Sequence, residues 1–379
     1  MQLQPVIEEE PPCFFRLGVT LFEIRRNVDA VAQPFVDSVV AISHHKKALQ
    51  PPLFDIFVHG VFSLLVLCGK SLAENETAKA IKTSNTLKLP ENGEYSLVLH
   101  SQLDKAVMQR SFKIHSFMDS LSTNQFGRLL IWSPQLTSTQ DIVSQNFCEL
   151  PIGSVCVADV QTKGRGRSKN VWESPSGCLM FSFTLQMEDG RVVPLVQYVV
   201  SLAITEAVKD ICYKNGLPSI DVKIKWPNDL YLNGSKVGGI LCTSTYKSKK
   251  FNVSAGIGLN VINEKPTTSL NTVLKELSTG AYQFQREDIL AAFFNKFEEF
   301  YGLFVNQVIY IFKNVVCSGQ RVVVQEKNGD KVIEHVVTIQ GLTSSGYLLA
   351  VGDDNQMCEL HPDGNSFDFF KGLVRRKLD

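Results

Sequence analysis

Three short runs in this chain gather residues able to handle anions. Gln161-Thr162-Lys163-Gly164-Arg165-Gly166-Arg167 directly follows an apolar run. Its glycines allow a tight turn that aims backbone N–H groups at a ligand, and its arginines add planar donors suited to carboxylate and phosphate. Gly-Arg-Gly-Arg also occurs in disordered RNA-binding tails, but here it lies between an apolar strand and Trp172, which argues for an ordered anion site.

The second run is Lys225-Trp226-Pro227-Asn228-Asp229-Leu230-Tyr231-Leu232-Asn233-Gly234-Ser235-Lys236-Val237-Gly238-Gly239-Ile240-Leu241. Asn-Gly between apolar segments is the strongest short hairpin signal. A two-residue turn there pairs Leu232 with Ser235, Tyr231 with Lys236 and Asp229 with Gly238. Asp229, Tyr231 and Lys236 then share one face, with Leu230, Leu232 and Val237 on the other. The glycine opposite Asp229 leaves room for a ligand. The competing reading is an exposed face with a solvated Asp–Lys pair, which is worth little. The third run, Gly256-Ile257-Gly258-Leu259-Asn260, closes a strand over Phe251–Ala255. Glycines there signal close approach of a ligand, or a plain strand end with Asn260 in a turn.

All seven histidines lie at or before His115, or at His335 and His361. The region between carries none, which excludes a Ser-His-Asp triad, a Cys-His pair or a histidine-ligated zinc there. Chemistry in that region must run on Arg, Lys, Asp, Asn and backbone dipoles. Nucleotidyl transfer works in that way, by positioning and charge stabilisation.

These runs need a scaffold, and the pattern predicts an α/β layer from Gly127 to about Phe304. Leu129–Trp132 and Val155–Val160 read as strands. Ser138-Thr139-Gln140-Asp141 has the form of a capping box opening a helix. Leu179, Phe181, Phe183 and Leu185 alternate with Met180, Ser182 and Thr184 as in a strand. Pro194 suits the first turn of a long helix that stops near Gly216. Ile220, Val222 and Ile224 mark a half-exposed strand, and a last helix runs from Arg286 to about Phe304. Beyond Gly319, short strands and turns such as Ser344-Ser345-Gly346 predict a small SH3-like β-barrel. The expected domains are an extension over 1–60, a small subdomain over 61–125, a catalytic domain over 126–305 and the barrel over 318–379.

The totals are those of an ordinary globular chain. The chain has 379 residues, 44% of them hydrophobic, with 38 basic and 38 acidic side chains. That balance does not favour a protein that coats nucleic acid. Its nine cysteines form no Cys-x-x-Cys pair and read as reduced thiols, pointing to the cytoplasm. A plastid or mitochondrial transit segment is the alternative. The apolar run Phe57–Cys68 is too short to span a bilayer, so no membrane association is expected.

Taken together, the runs resemble the biotin protein ligases, in particular their plant-type holocarboxylase synthetase branch. Gly164-Arg165-Gly166-Arg167 with Trp172, Lys225–Asp229, Lys236–Leu241 and Gly256–Asn260 occur in family order. The match covers roughly Phe126 to Asn263 and the tail from Ser318 to Lys377. The resemblance implies that Ser138, Thr139 and Gln161 bind the biotin head group, with Gly166 and Gly258 also at the biotin site. It implies that Arg165 and Arg167 lie in a loop closing over biotin and its adenylate, ordered by Trp172. Lys236 would hold the biotin carboxylate and α-phosphate, and Asn228, Asp229 and Asn260 would meet ATP and Mg²⁺. Lys236, Arg167 and Asp229 are the catalytic candidates, and the implied partners are biotin carboxyl carrier domains of carboxylases. No winged helix with basic recognition residues precedes the catalytic region, so DNA is not an expected partner. Val305–Cys317 is shorter and more apolar than the corresponding family segment, a departure that bears on how the barrel docks. Oligomeric state is open. The competing readings are a lipoate–protein ligase, a nucleic-acid-binding module and an inactive scaffold.

Overall fold

A computed structural model describes residues 64–89, 95–103, 112–167, 170–306, 319–328, 331–343, 345–361, 365–368 and 373–376. The extension over 1–60, most of the departure at 305–317 and the turn residues Gly329 and Asp330 lie outside them.

The catalytic sheet starts earlier than the sequence pattern implied. β1 (Leu64–Gly69) is followed by α1 (Leu72–Ser84) and β2 (Ser96–Leu99), and then by α2 (Ile114–Ser120). β1 pairs parallel with β2 and antiparallel with β3 (Leu129–Leu136), with Leu67 opposite Ile131. The stretch read as a separate subdomain over 61–125 therefore contributes two strands to the main sheet. Then come α3 (Thr139–Gln145), β4 (Val155–Gln161) and the short β5 (Gly164–Arg165) and β6 (Val171–Trp172). β7 (Cys178–Met187), α4 (Val196–Lys214), β8 (Lys223–Lys225), β9 (Asp229–Leu232), β10 (Ser235–Lys247) and β11 (Lys250–Asn260) complete the sheet. Its order is β2-β1-β3-β4-β7-β11-β10-β9-β8. α5 (Leu270–Leu277) and α6 (Arg286–Val305) follow.

Strand alternation sorts the core into two layers, because successive side chains leave a strand on opposite faces. Val66, Leu130, Trp132, Val155 and Val157 pack with α2, α4 and α6, while Leu65, Leu67, Ile131, Cys156 and Ala158 pack with α1 and α3. Covering on both faces explains why β1, β3 and β4 read as continuous apolar runs. β7, expected from its alternation, is also buried on both faces along nearly its whole length. Phe293, Phe294 and Phe297 of α6 meet Phe181 and Phe183 of β7 edge to face, with ring centroids 4.9–5.9 Å apart. Truncating one such fully buried ring typically costs about 3–5 kcal/mol, so Phe293→Ala would be a severe test of this layer.

The long helix α4 is preceded by a helical turn holding Pro194, and Gly216 follows its end at φ 62°, a left-handed C-terminal cap. β8 is shorter than its pattern implied: Ile220 and Val222 are buried but precede the strand. β11 is longer, because pairing with β7 continues through Gly256 and Gly258 to Asn260 opposite Cys178. The glycines lie inside a strand and not at its end.

The C-terminal segment forms β12 (Arg321–Asn328), β13 (Lys331–Leu342), β14 (Leu348–Gly352), β15 (Met357–Leu360), β16 (Asn365–Asp368) and β17 (Leu373–Arg376). They make one sheet in the order β15-β14-β13-β12-β17-β16, the small SH3-like domain expected. Val322, Val337, Ile339 and Leu348 join the same apolar core as α4.

Candidate active site

One open cavity of ≈ 780 Å³ lies over the sheet between the β5–β6 hairpin and strands β7 to β11. Every residue to which the resemblance gave a role lines it: Ser138, Thr139, Gln161, Arg165, Gly166, Arg167, Trp172, Asn228, Asp229, Lys236, Gly258 and Asn260; Tyr231, expected on the same face as Asp229 and Lys236, does not. Residues up to 122 positions apart in the chain, Ser138 and Asn260, are brought together because β4, β7, β11 and β10 are neighbours in the sheet.

At the β4 side the groups are neutral and hydrogen-bonded. The Thr139 amide and hydroxyl both donate to Gln161 Oε1, at 2.8 and 3.1 Å. Gln161 Nε2 donates to Ser174 Oγ at 3.0 Å, and Thr139 Oγ1 lies 2.9 Å from Ser182 Oγ. Ser138 caps α3 by backbone conformation alone. The expected capping box does not form, because Asp141 turns to Arg165 (Nε to Oδ1 2.7 Å), and the buried Ser138 hydroxyl has no partner. A buried hydroxyl without a partner is costly unless a ligand or water supplies one.

At the β9–β10 side the groups are charged. Asn233 and Gly234 take positive φ (47° and 80°), as a two-residue hairpin turn of this type requires. Leu232 pairs with Ser235 and Tyr231 with Lys236 as expected, but a bulge at Val237 shifts the register. Asp229 therefore stands opposite Gly239, not Gly238. Lys236 and Asp229 still share a face, with Nζ 2.6 Å from Oδ1. Arg167 Nη1 donates to Asn228 Oδ1 at 3.3 Å, and Asn228 Nδ2 donates to the Ile240 carbonyl at 2.6 Å. Asn260 is buried; its Oδ1 accepts from Cys178 Sγ at 3.3 Å, and its Nδ2 donates to Thr267 Oγ1 at 3.2 Å.

Between the two sides the space beside the glycines is not open. A Cβ on Gly258 would lie 2.5 Å from Trp172 Nε1, and one on Gly239 would lie 3.3 Å from Trp172 Cζ3. The indole occupies the room these glycines leave, its own N–H buried and unpartnered, with Lys236 Nζ 5.2 Å from its ring centre. Close approach was the correct inference from glycine, but the group approaching is the hairpin's own tryptophan.

Gln140, Ser182, Lys225 and Thr267 also line the cavity, and no ligand role was expected of them individually. Ser182 carried a signal, as a small polar residue between Phe181 and Phe183 inside a buried strand. Gln140 carried one only in retrospect. Its Nε2 donates to Thr243 Oγ1 (2.9 Å) and Ser254 O (3.0 Å), which ties α3 to β10 and β11.

The mixed sheet thus carries a cavity with neutral amide and hydroxyl groups on one side and charged groups on the other, suited to a ligand that is neutral and polar at one end and anionic at the other. Residues 132–260 match the Biotin/lipoate A/B protein ligase family, and residues 317–372 match the Biotin protein ligase C terminal domain. The chain is 66% identical over 321 residues to Biotin--protein ligase 1, chloroplastic, of Arabidopsis thaliana, covering 83% of this chain and 88% of that protein. It is 64% identical over 321 residues to Biotin--protein ligase 2 of the same plant, covering 83% and 98%. Among solved structures, the biotin protein ligase from Aquifex aeolicus in complex with biotin and ATP aligns at 26% identity and TM-score 0.47, covering 61% of this chain and 94% of that one. The chain belongs to the biotin protein ligase family.

Proposed function

We propose that this chain is an ATP-dependent biotin–protein ligase acting on the carboxyl carrier domains of biotin-dependent carboxylases. The biotin carboxylate attacks the α-phosphorus of ATP, the bond to the bridging oxygen breaks, and pyrophosphate leaves. The amine of a carrier lysine then attacks the carbonyl of the mixed anhydride, forming an amide and releasing AMP.

The observation that carries this reading is the distribution of groups across one cavity. Strands β4 and β10 are separated by β7 and β11, hence by roughly 14 Å. A ligand with a neutral hydrogen-bonding ring at one end and a carboxylate at the other suits that span. The ureido ring of biotin would meet Ser138, Thr139 and Gln161, with Gly166 and Gly258 alongside. Its carboxylate would meet Lys236, where Arg165 and Arg167 add positive charge as the two anions come together. Trp172, Asn228, Asp229 and Asn260 would contact the adenylate. Mg²⁺ would arrive with the nucleotide. It is usually held by one or two carboxylates together with substrate phosphates, and Asp229, a carboxylate of the cavity wall, would help to hold it there.

Residues 126–305 would form the catalytic domain and 318–379 the C-terminal domain, with β1 and β2 completing the sheet. The word chloroplastic in the name of one relative supports a plastid destination, the alternative to the cytoplasm. Among the described residues no helix is long and apolar enough to cross a membrane.

Biotin-dependent exchange of labelled pyrophosphate into ATP tests the first step, and transfer of biotin to an isolated carrier domain tests the second. Exchange supported equally by lipoate would overturn the substrate assignment. Failure of exchange with folded, full-length protein would overturn the activity.

A further inference from the structure

We infer that a single carbonyl of the C-terminal domain, that of Gly346, positions the nucleotide-facing segment Trp226–Asp229 of the catalytic domain. Tyr198 Oη, in the first turn of α4, donates to Gly346 O at 2.6 Å, and Trp226 Nε1 donates to the same oxygen at 3.3 Å. A carbonyl oxygen has two lone pairs, so these two donors use its full capacity. Both side chains are buried, Tyr198 completely and Trp226 to 3% exposure. Burial pushes the Tyr198 phenol well above the usual tyrosine range, so its hydroxyl keeps its proton.

The turn that presents this oxygen is built for the approach. Thr343 N donates to Tyr347 O at 2.8 Å and Gly346 N to Thr343 O at 3.0 Å, closing a tight connection between β13 and β14. Gly346 sits at φ 78°, and a Cβ there would lie 3.1 Å from Tyr198 Cε2 and 3.4 Å from Leu195 Cδ2. Only glycine brings the backbone this close without strain.

What the contact holds is the indole of Trp226, two residues before Asn228. Asn228 is clasped by the Ile240 carbonyl and by Arg167, whose charge also acts on the Tyr198 hydroxyl. Loss of the Trp226 bond, or of the Tyr198 bond that fixes the same oxygen, would let the indole shift and carry Asn228 and Asp229 with it relative to Lys236. Ser138, Thr139 and Gln161 lie on the other side of the cavity and make no contact with this oxygen. Tyr198 and Trp226 are therefore positioning residues for nucleotide use and not for biotin recognition.

This inference rests on the reading that Asn228–Asp229 meets the nucleotide, and the test separates the two. Full-length wild type, Tyr198→Phe, Trp226→Phe and Asn228→Ala would be compared for ATP KM in pyrophosphate exchange, biotin Kd by calorimetry and thermal midpoint. Tyr198→Phe removes one oxygen and keeps the ring, so it tests the bond with the least disturbance. Loss of one neutral hydrogen bond predicts a rise in ATP KM of roughly 3- to 10-fold, with biotin Kd unchanged. An unchanged ATP KM in Tyr198→Phe, alongside a raised one in Asn228→Ala, overturns the Gly346 assignment alone. An equal loss of ATP and biotin binding in Tyr198→Phe also overturns it, because that pattern marks general loosening. An unchanged ATP KM in Asn228→Ala overturns the nucleotide reading and this inference with it.

Discussion

Lys236 and Asp229 meet at 2.6 Å across a hairpin whose register slips at Val237, so the slip leaves the ion pair in place. Their side chains are 35% and 23% exposed, and Trp172 borders the pair. A pair so placed is not the fully solvated surface contact that contributes little. Replacing Lys236 by Gln keeps the length and removes the charge. Pyrophosphate release at saturating biotin and MgATP should fall roughly 10- to 150-fold, the worth of a charged hydrogen bond. The thermal midpoint should stay near wild type. Wild-type release from a folded Lys236→Gln protein would return the residue to an ordinary hairpin lysine.

Arg165 and Asp141 tie the β5–β6 hairpin to α3. Arg165→Ala and Asp141→Asn should each let biotinyl-adenylate escape before transfer while adenylation continues. The readout is free adenylate and labelling of bystander lysines. If the two residues act as one contact, the double variant should leak no more than either single one. Additive leakage would show that they act separately.

Ser138 makes no side-chain bond to the end of its helix. An N-cap serine replaced by alanine ordinarily costs about 1 kcal/mol of stability. Here Ser138→Ala should leave the thermal midpoint unmoved and weaken biotin binding, measured by calorimetry. A drop in midpoint with unchanged biotin affinity would reverse the assignment.

β1 begins at Leu64 and pairs directly with β3. Removal of residues 1–60 should therefore preserve adenylate synthesis. Removal of residues 1–125 should abolish folding, because it strips two strands and leaves Leu129 to Trp132 as a bare sheet edge. Circular dichroism and pyrophosphate exchange on both truncations decide this. An active 126–379 fragment would show that β1 and β2 are dispensable.

Glu74 lies 2.5 Å from Arg128. Burial pushes its carboxyl up, but hydrogen bonds from Arg128 and Ser71 outweigh it and hold the group at about 2, below its usual 4.5. A carboxyl lowered by folding stabilises above its unfolded value and loses that contribution as pH falls through the folded one. The midpoint difference between wild type and Glu74→Gln should be full above pH 4.5 and should close on acidification toward pH 2. A difference independent of pH would show that the carboxylate charge is not what stabilises.

The runs that line the cavity were legible in the sequence because they are short, contiguous and unusual in composition. Gly-Arg-Gly-Arg and Lys-Trp-Pro-Asn-Asp are legible one run at a time, and the Asn233-Gly234 turn fixes which residues of its hairpin share a face. What stayed hidden depends on contacts between runs. Asp141 looked like a capping residue because the local pattern was complete; its real partner, Arg165, is 24 positions further along. The bulge at Val237 has no local signature, since Gly238 and Gly239 tolerate either register. β1 and β2 were missed as sheet members because a strand's neighbours are not written in its own residues.

Among the contacts that fasten the β5–β6 hairpin are two of unlike physics: an ion pair at Arg165, 58% exposed, and an indole seated against Gly258 and Gly239. Added salt screens the first and leaves the second, and strongly hydrated anions such as sulfate strengthen it. Ionic strength thus selects which fastening gives way. In dilute buffer both should hold; in concentrated sodium chloride the Arg165 end should loosen while the indole stays seated. If Arg165 acts as predicted, the leak of adenylate should then depend on the choice of salt as well as on the choice of side chain.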